Sequence, residues 1–292
     1  MKFSLMGGLF DLLARLPLSA LHRLGAILGW ATYALSGRYA ARLRENLKNA
    51  GLSHSDTEFR ELLHANIREA GKGVMELPWI WRRPFEEVIA SVAECHGWEH
   101  LEQAHAQGKG IIVLTPHLGC FEIISLYVSA RYPVTSMYRP PRQKSLDSLM
   151  HEGRARGQMK LVAADMSGVR QLLKALRRGE IIGILPDQAP GSGEGEWAPF
   201  FGRPAYTMTL IGRLMEVSKA PVVICHGERL PQGKGYALHF SPLNLDPAGS
   251  IPKQMNAALE NVIRSCPAQY LWSYNRYKVP RGALPPDTSK EL

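Results

Sequence analysis

The chain predicts an α/β fold, a mostly parallel sheet flanked by helices, with an N-terminal helical extension that associates with a membrane. Three observations carry this. From about residue 91 onward short apolar runs recur, as strands buried on both faces require. Segments of helical length separate them. Upstream of both, residues 3–35 are rich in Leu, Gly and Ala.

The elements follow in order. Residues 3–35 read as two helices that lie in or dip into a bilayer, since Asp11, Arg15, His22 and Arg23 interrupt the apolar run. The longest uncharged stretch, Leu24 to Gly37, falls short of the roughly 18 residues a spanning helix needs. No signal-peptide cleavage pattern follows it. A basic helix over 38–49 would touch head groups through Arg38, Arg42 and Arg44. An amphipathic core hairpin is the alternative. Ser55 and Glu58 form a capping box for a helix running to about Leu77, with Pro78 ending it. Ile111–Leu114, preceded by Gly108 and Gly110, is a buried strand. Further strands are expected at Val134–Met137, Leu161–Ala163, Ile181–Leu185 and Pro221–His226. Helices are expected at 98–107, 120–130, 144–156, 167–178, 206–218 and 252–265. Tyr236–Phe240, after a Gly-rich turn, reads as an antiparallel edge hairpin. The expected domains are 1–50 (N-terminal membrane-associating helices), 51–280 (the α/β domain) and 281–292 (a flexible tail).

Composition narrows the function. The 292 residues are 45% hydrophobic and 21% charged, which suits a folded protein. Cys95, Cys120, Cys225 and Cys266 are far apart, with no Cys-x-x-Cys pair and no His/Cys cluster, so a reducing compartment and no metal are expected. The net charge of +9 favours anionic partners. Cations gather at Lys174, Arg177 and Arg178, and again at Arg139, Arg142, Lys144, Arg154, Arg156 and Lys160. No nucleic-acid recognition motif accompanies them, and no aromatics interleave with them.

The segment Thr115-Pro-His-Leu-Gly-Cys-Phe-Glu122 is the strongest candidate for chemistry. It starts where an apolar strand ends, and ligands of open α/β sheets bind at strand carboxyl ends. Pro116 stops the strand and Gly119 permits a tight turn. Glu122, in the first turn of the next helix, is expected to accept the Nδ1 hydrogen of His117 and leave the other nitrogen free to take a proton. The spacing alone also fits a structural pair. Arg139 follows a strand and suits a phosphate or a developing negative charge. Asp187 follows another strand, where it would orient Arg139 or a substrate group, or cap a loop. Gly191-Ser-Gly-Glu-Gly195 lacks the Lys-Ser/Thr of a phosphate loop and reads as a mobile loop. Cys120 offers a rival, covalent route beside His117.

His117-x-x-x-x-Glu122 after an apolar strand resembles the signature of glycerolipid-type acyltransferases, and more specifically that of the late (secondary) lipid A acyltransferases. The match covers nearly the whole chain. Its landmarks are Tyr138-Arg-Pro140, Asp147, Gly153-Arg154, Gly168 to Leu176, Pro186-Asp-Gln188, Phe200-Phe-Gly202 with Thr207, and Gln269-Tyr-Leu-Trp272 with Arg276. Where many members carry His-Arg-Arg, this chain has Tyr274-Asn-Arg276. The resemblance implies catalytic roles for His117 and Glu122, and substrate-binding roles for Arg139, Arg154, Arg170, Asp187 and Gly119. It implies acyl transfer from an acyl-carrier-protein thioester to a hydroxyl of a phosphorylated glycolipid, the lipid A precursor, with no cofactor. It also implies a monomer on the cytoplasmic face of the bacterial inner membrane. An oxyanion would rest on backbone N–H groups near Gly119 or on Arg139. Alternatives are another glycolipid or aminolipid acceptor, and a catalytically silent lipid-binding homologue. An ester hydrolase is a further one, although no Gly-x-Ser-x-Gly elbow is present.

Overall fold

A computed structural model describes residues 5–141 and 143–286. Arg142 and residues 287–292 of the expected tail lie outside the described residues. Helices α1 (Leu5–Ala14), α2 (Leu18–Leu35), α3 (Gly37–Asn49), α4 (Asp56–Met75), α5 (Leu77–Arg82) and α6 (Phe85–Ala90) come first. Then β1 (Val92–His96), α7 (Trp98–His105), β2 (Ile111–Leu114), α8 (Phe121–Ser129), β3 (Val134–Tyr138), α9 (Lys144–Arg154), β4 (Met159–Ala163), α10 (Met166–Arg177) and β5 (Ile181–Ile184) alternate. The chain closes with β6 (Gly195–Phe200), β7 (Arg203–Met208), α11 (Leu210–Ser218), β8 (Val222–Arg229), β9 (Tyr236–Leu243) and α12 (Ile251–Ser265).

Seven strands form one sheet in the order β1-β9-β8-β2-β5-β3-β4, and β6 and β7 form a separate hairpin. The block β8-β2-β5-β3-β4 is parallel throughout. β9 runs antiparallel to β8, with β1 parallel to β9 outside it. β2 is buried along its whole length and divides two cores. Ile112 and Leu114 face one, with α10, α11 and α12. Ile111 and Val113 face the other, with α7 and α8.

Local chemistry places the helix starts. Ser55 caps α4 by accepting from Glu58 N–H at 3.2 Å, and the Glu58 carboxylate accepts from His54 N–H at 2.8 Å. Asp165 caps α10 through Ser167 N–H and Gly168 N–H. Ser250 caps α12 through Lys253 N–H.

Three expectations need correction. Residues 206–208 are strand rather than the start of the expected helix, because Arg203–Met208 pairs with Gly195–Phe200 around the Phe200-Phe-Gly202 turn, and the helix begins at Leu210. Pro78 starts α5 as well as following α4, since proline suits a first turn whose N–H groups have no acceptor. Tyr236–Phe240 is antiparallel to its neighbour but not the edge, which is β1. Hydrogen bonds cross the turn over 191–194, from Gly191 N–H to the Glu194 carboxylate and from Gly193 N–H to the Tyr206 hydroxyl.

The N-terminal helices pack onto this body. Leu21 of α2 and Leu43 and Leu47 of α3 are fully buried in the two cores. α2 lies directly on α4, where Gly25 and Gly29 meet Gly71 so closely that an added Cβ would collide with backbone. The outer side of the same helices stays apolar: Leu9, Leu12, Leu24, Ile27, Leu28, Trp30 and Leu35 are all exposed. Among the described residues no helix is long and apolar enough to cross a membrane.

Candidate active site

The site forms at the carboxyl ends of β2 and β5. Beyond Leu114 the chain leaves the sheet at Thr115-Pro116, and a loop of four residues, 117–120, leads into α8. Neighbouring backbone clamps this loop on both sides. Leu271 N–H donates to His117 O at 3.1 Å, Gly119 N–H to Gln269 O at 3.1 Å, and Cys120 N–H to Gly227 O at 2.8 Å. Gly119 adopts φ of +58° and sits against Gly227 O, so both its backbone angle and its surroundings exclude a side chain.

This clamping corrects one expectation. The N–H groups of Leu118, Gly119 and Cys120 all donate to protein carbonyls, so they are not the oxyanion donors that the turn suggested. In the first turn of α8, Ile123 N–H likewise donates to a protein carbonyl, Cys120 O at 3.3 Å.

His117 is held by Asp187, not by Glu122. Its Nδ1 lies 2.8 Å from Asp187 Oδ1, and its backbone N–H donates to Asp187 Oδ2 at 2.9 Å. Two bonds from one residue to both carboxylate oxygens fix ring and backbone together. Asp187 is only 2% exposed, and His117 16%. Burial pushes the Asp187 carboxyl up, but the His117 charge and the hydrogen bonds it receives outweigh this and hold it below the usual range. A carboxylate there favours the Nδ1–H tautomer and leaves Nε2 as the proton acceptor. Nε2 lies 3.2 Å from Gln188 Nε2, so the amide occupies the direction from which a hydroxyl would approach.

Glu122 serves another group. Its buried carboxylate takes a forked ion pair from Arg154, with Nε at 3.1 and 2.9 Å and a further contact from Nη2. Trp81 Nε1–H adds a bond at 3.3 Å. Burial lowers the Arg154 guanidinium, but the Glu122 charge and hydrogen bonds outweigh it, and the group stays charged. Gly153 lies flat on the Trp81 indole, where a Cβ would overlap the ring. The indole and the Tyr138 ring each lie 5.9 Å from the guanidinium carbon. Tyr138 in turn donates its hydroxyl to Asp147.

The remaining sequence candidates scatter. Arg139 is exposed just past β3, at the correct edge of the sheet. Arg170 is exposed on the outer surface of α10 and does not join the His117 cluster. Cys120 is buried, and burial pushes its thiol well above the ordinary value, which disfavours the thiolate that covalent chemistry needs. Two contributors went unread as site residues, Gln188 and Trp81. Gln188 follows Asp187 directly in the Pro186-Asp-Gln188 landmark; Trp81 showed only as an apolar residue before the sheet.

A strand-edge histidine oriented by a buried carboxylate has the geometry of a general base on an α/β sheet, and a second buried carboxylate holds an arginine. The sequence profile of the bacterial lipid A biosynthesis acyltransferases matches residues 2–279, and the chain belongs to that family. It is 30% identical over 283 residues to the lipid A biosynthesis lauroyltransferase of Escherichia coli (strain K12), covering 95% of this chain and 92% of that one. It is 25% identical to that organism's palmitoleoyltransferase over 279 residues, covering 93% and 89%. The myristoyltransferase of the same strain is 24% identical over 273 residues, covering 88% and 83%. The protein is therefore an acyltransferase of lipid A biosynthesis.

Proposed function

We propose that the enzyme moves a fatty acyl chain from an acyl-carrier-protein thioester to a hydroxyl of a phosphorylated lipid A precursor, with His117 as general base and Asp187 as its orienting carboxylate. The observation that carries this is the pair of hydrogen bonds between His117 and Asp187 at the strand edge. Nε2 takes the hydroxyl proton while the oxygen attacks the thioester carbon. A tetrahedral oxyanion forms, the C–S bond breaks, and the leaving thiolate takes the proton back from Nε2. The product is an ester, and no covalent enzyme intermediate is needed. The cation held in place by Glu122, Arg154, is 25% exposed and offers a fixed positive charge to the oxyanion or to an acceptor phosphate. Glu122 thus acts through Arg154 rather than on the imidazole.

The apolar outer faces of α1 and α2, flanked by Arg15, Arg23 and Arg38, support a seat in the head-group region of an anionic leaflet, the cytoplasmic side of the inner membrane. A monomer and the absence of any cofactor belong to the same proposal. The test is transfer by purified variants. His117→Ala and Asp187→Asn should each lower kcat by about 10²- to 10⁴-fold while keeping the wild-type circular dichroism spectrum. Near wild-type turnover by His117→Ala would refute the proposal.

A further inference from the structure

The carrier-dependent reading above leaves open where a thioester donor meets the enzyme. Helix α10 supplies an answer. Leu172, Ala175 and Leu176 are buried against the sheet, whereas Arg170, Lys174 and Arg177 are exposed and share the opposite face at helical spacing. The helix itself, Met166–Arg177, contains no acidic residue. Nearby carboxylates are largely engaged elsewhere: Asp165 caps the helix, and Glu180 pairs with Arg178. The adjacent α11 adds exposed Arg213 and Lys219 against a single acidic residue, Glu216. At the N-terminal end of the stripe stands Met166, 68% exposed.

We propose that this basic face of α10 is the docking surface for an acidic carrier protein that presents the acyl thioester, with Met166 as its apolar anchor. This rests on the thioester reading of the site. Position supports it. α10 starts directly after β4, at the same carboxyl edge of the sheet that bears His117. β4 lies three strand positions from β2, roughly 14 Å at the usual spacing, and Arg170 to Arg177 lie roughly 6–16 Å further back along α10, a span for a flexible prosthetic arm rather than for direct contact. Charge complementarity selects an acidic partner. A protein fits better than lipid, because a helix resting on lipid carries a row of apolar side chains beside its cations. α10 exposes Met166 alone, while the exposed apolar rows sit on α1 and α2.

The experiment compares two donors with one acyl chain, acyl-carrier protein and acyl-pantetheine, on wild type and on Lys174→Glu/Arg177→Glu. The variant should show a KM for the carrier donor raised about tenfold or more, with kcat little changed. Its rate with acyl-pantetheine should stay within about twofold of wild type, and its binding to anionic vesicles should be unchanged. Wild-type KM for the carrier should also climb with salt, and the acyl-pantetheine rate should not. Should the double variant misfold, Lys174→Gln/Arg177→Gln reads the same contrast. An unchanged carrier KM overturns the surface, as does loss of vesicle binding with carrier KM intact, which would make the stripe a lipid contact. Transfer by wild type from neither donor would instead overturn the acyl-transfer reading, and the surface with it.

Discussion

Position 119 shows how tightly the chemistry depends on single residues. Its φ of +58° suits glycine, and its backbone leans on Gly227 O. Gly119→Ala should cost about 1–3 kcal/mol in stability and displace His117 with the loop. Calorimetry and the transfer assay should show both losses; a variant with wild-type Tm and rate would contradict this account of the loop. At this scale the sequence was legible in part. His117 and Gly119 were readable because a strand end, a proline and a glycine mark a site edge. The true partner of His117 was not, because Asp187 lies 70 positions away on another strand, and only the parallel pairing of β2 with β5 brings them together. Glu122, five residues off, was the nearer guess, but α8 turns it towards Arg154.

Among the elements, α2, α4 and β8 are tied by a buried charge network. Arg229 donates to both oxygens of Glu76 at 2.8 and 2.6 Å and to Glu69 at 2.8 Å, and Tyr236 adds a bond to Glu76 at 3.1 Å. His22 of α2 lies 3.4 Å from the same carboxylate. Burial would raise Glu76, but Arg229 overrides it and pulls the carboxyl from its ordinary 4.5 down to about 2. A depressed carboxyl stabilises the fold above its unfolded value and loses that contribution as pH falls through the folded one. Glu76→Gln should therefore lower stability at neutral pH by about 3–5 kcal/mol. The gap to wild type should narrow as pH drops from about 4.5 to about 2, readable by thermal unfolding at a series of pH values. A gap that stayed constant over that range would contradict the network. Element types were mostly readable from period and capping. The β6–β7 hairpin was missed because a glycine-rich turn and two strands rich in aromatics and proline lack the apolar alternation that marks a sheet strand.

As a whole, the molecule sets its reactive edge and its apolar helices on one body. Leu24, Ile27, Leu28 and Leu35 repeat at helical spacing on the outer side of α2, while Leu18, Leu21, Gly25 and Gly29 face inward. A helix apolar on both sides needs two apolar neighbours, and the described residues of the protein supply only one. Leu24→Asp/Ile27→Asp should weaken binding to anionic vesicles by about 10-fold or more, since each buried leucine-sized side chain contributes about 1.5–3 kcal/mol. Flotation or sedimentation with vesicles measures this, and circular dichroism should show the fold retained. Unchanged binding would remove α2 from the lipid contact. The apolar, uncharged run from Leu24 to Gly37 was visible in sequence, whereas the glycine contact of α2 with α4 was not.

The central claim concerns one proton. Neutral His117 should carry its hydrogen on Nδ1, facing Asp187, and keep Nε2 unprotonated, with the Gln188 amide against it until the acceptor hydroxyl takes that place. Long-range proton–nitrogen NMR of protein labelled with ¹⁵N-histidine, assigned by comparison with His117→Gln, reads this directly. The account predicts an unprotonated Nε2 in wild type and loss of that tautomer preference in Asp187→Asn; a wild-type His117 protonated on Nε2 would contradict it.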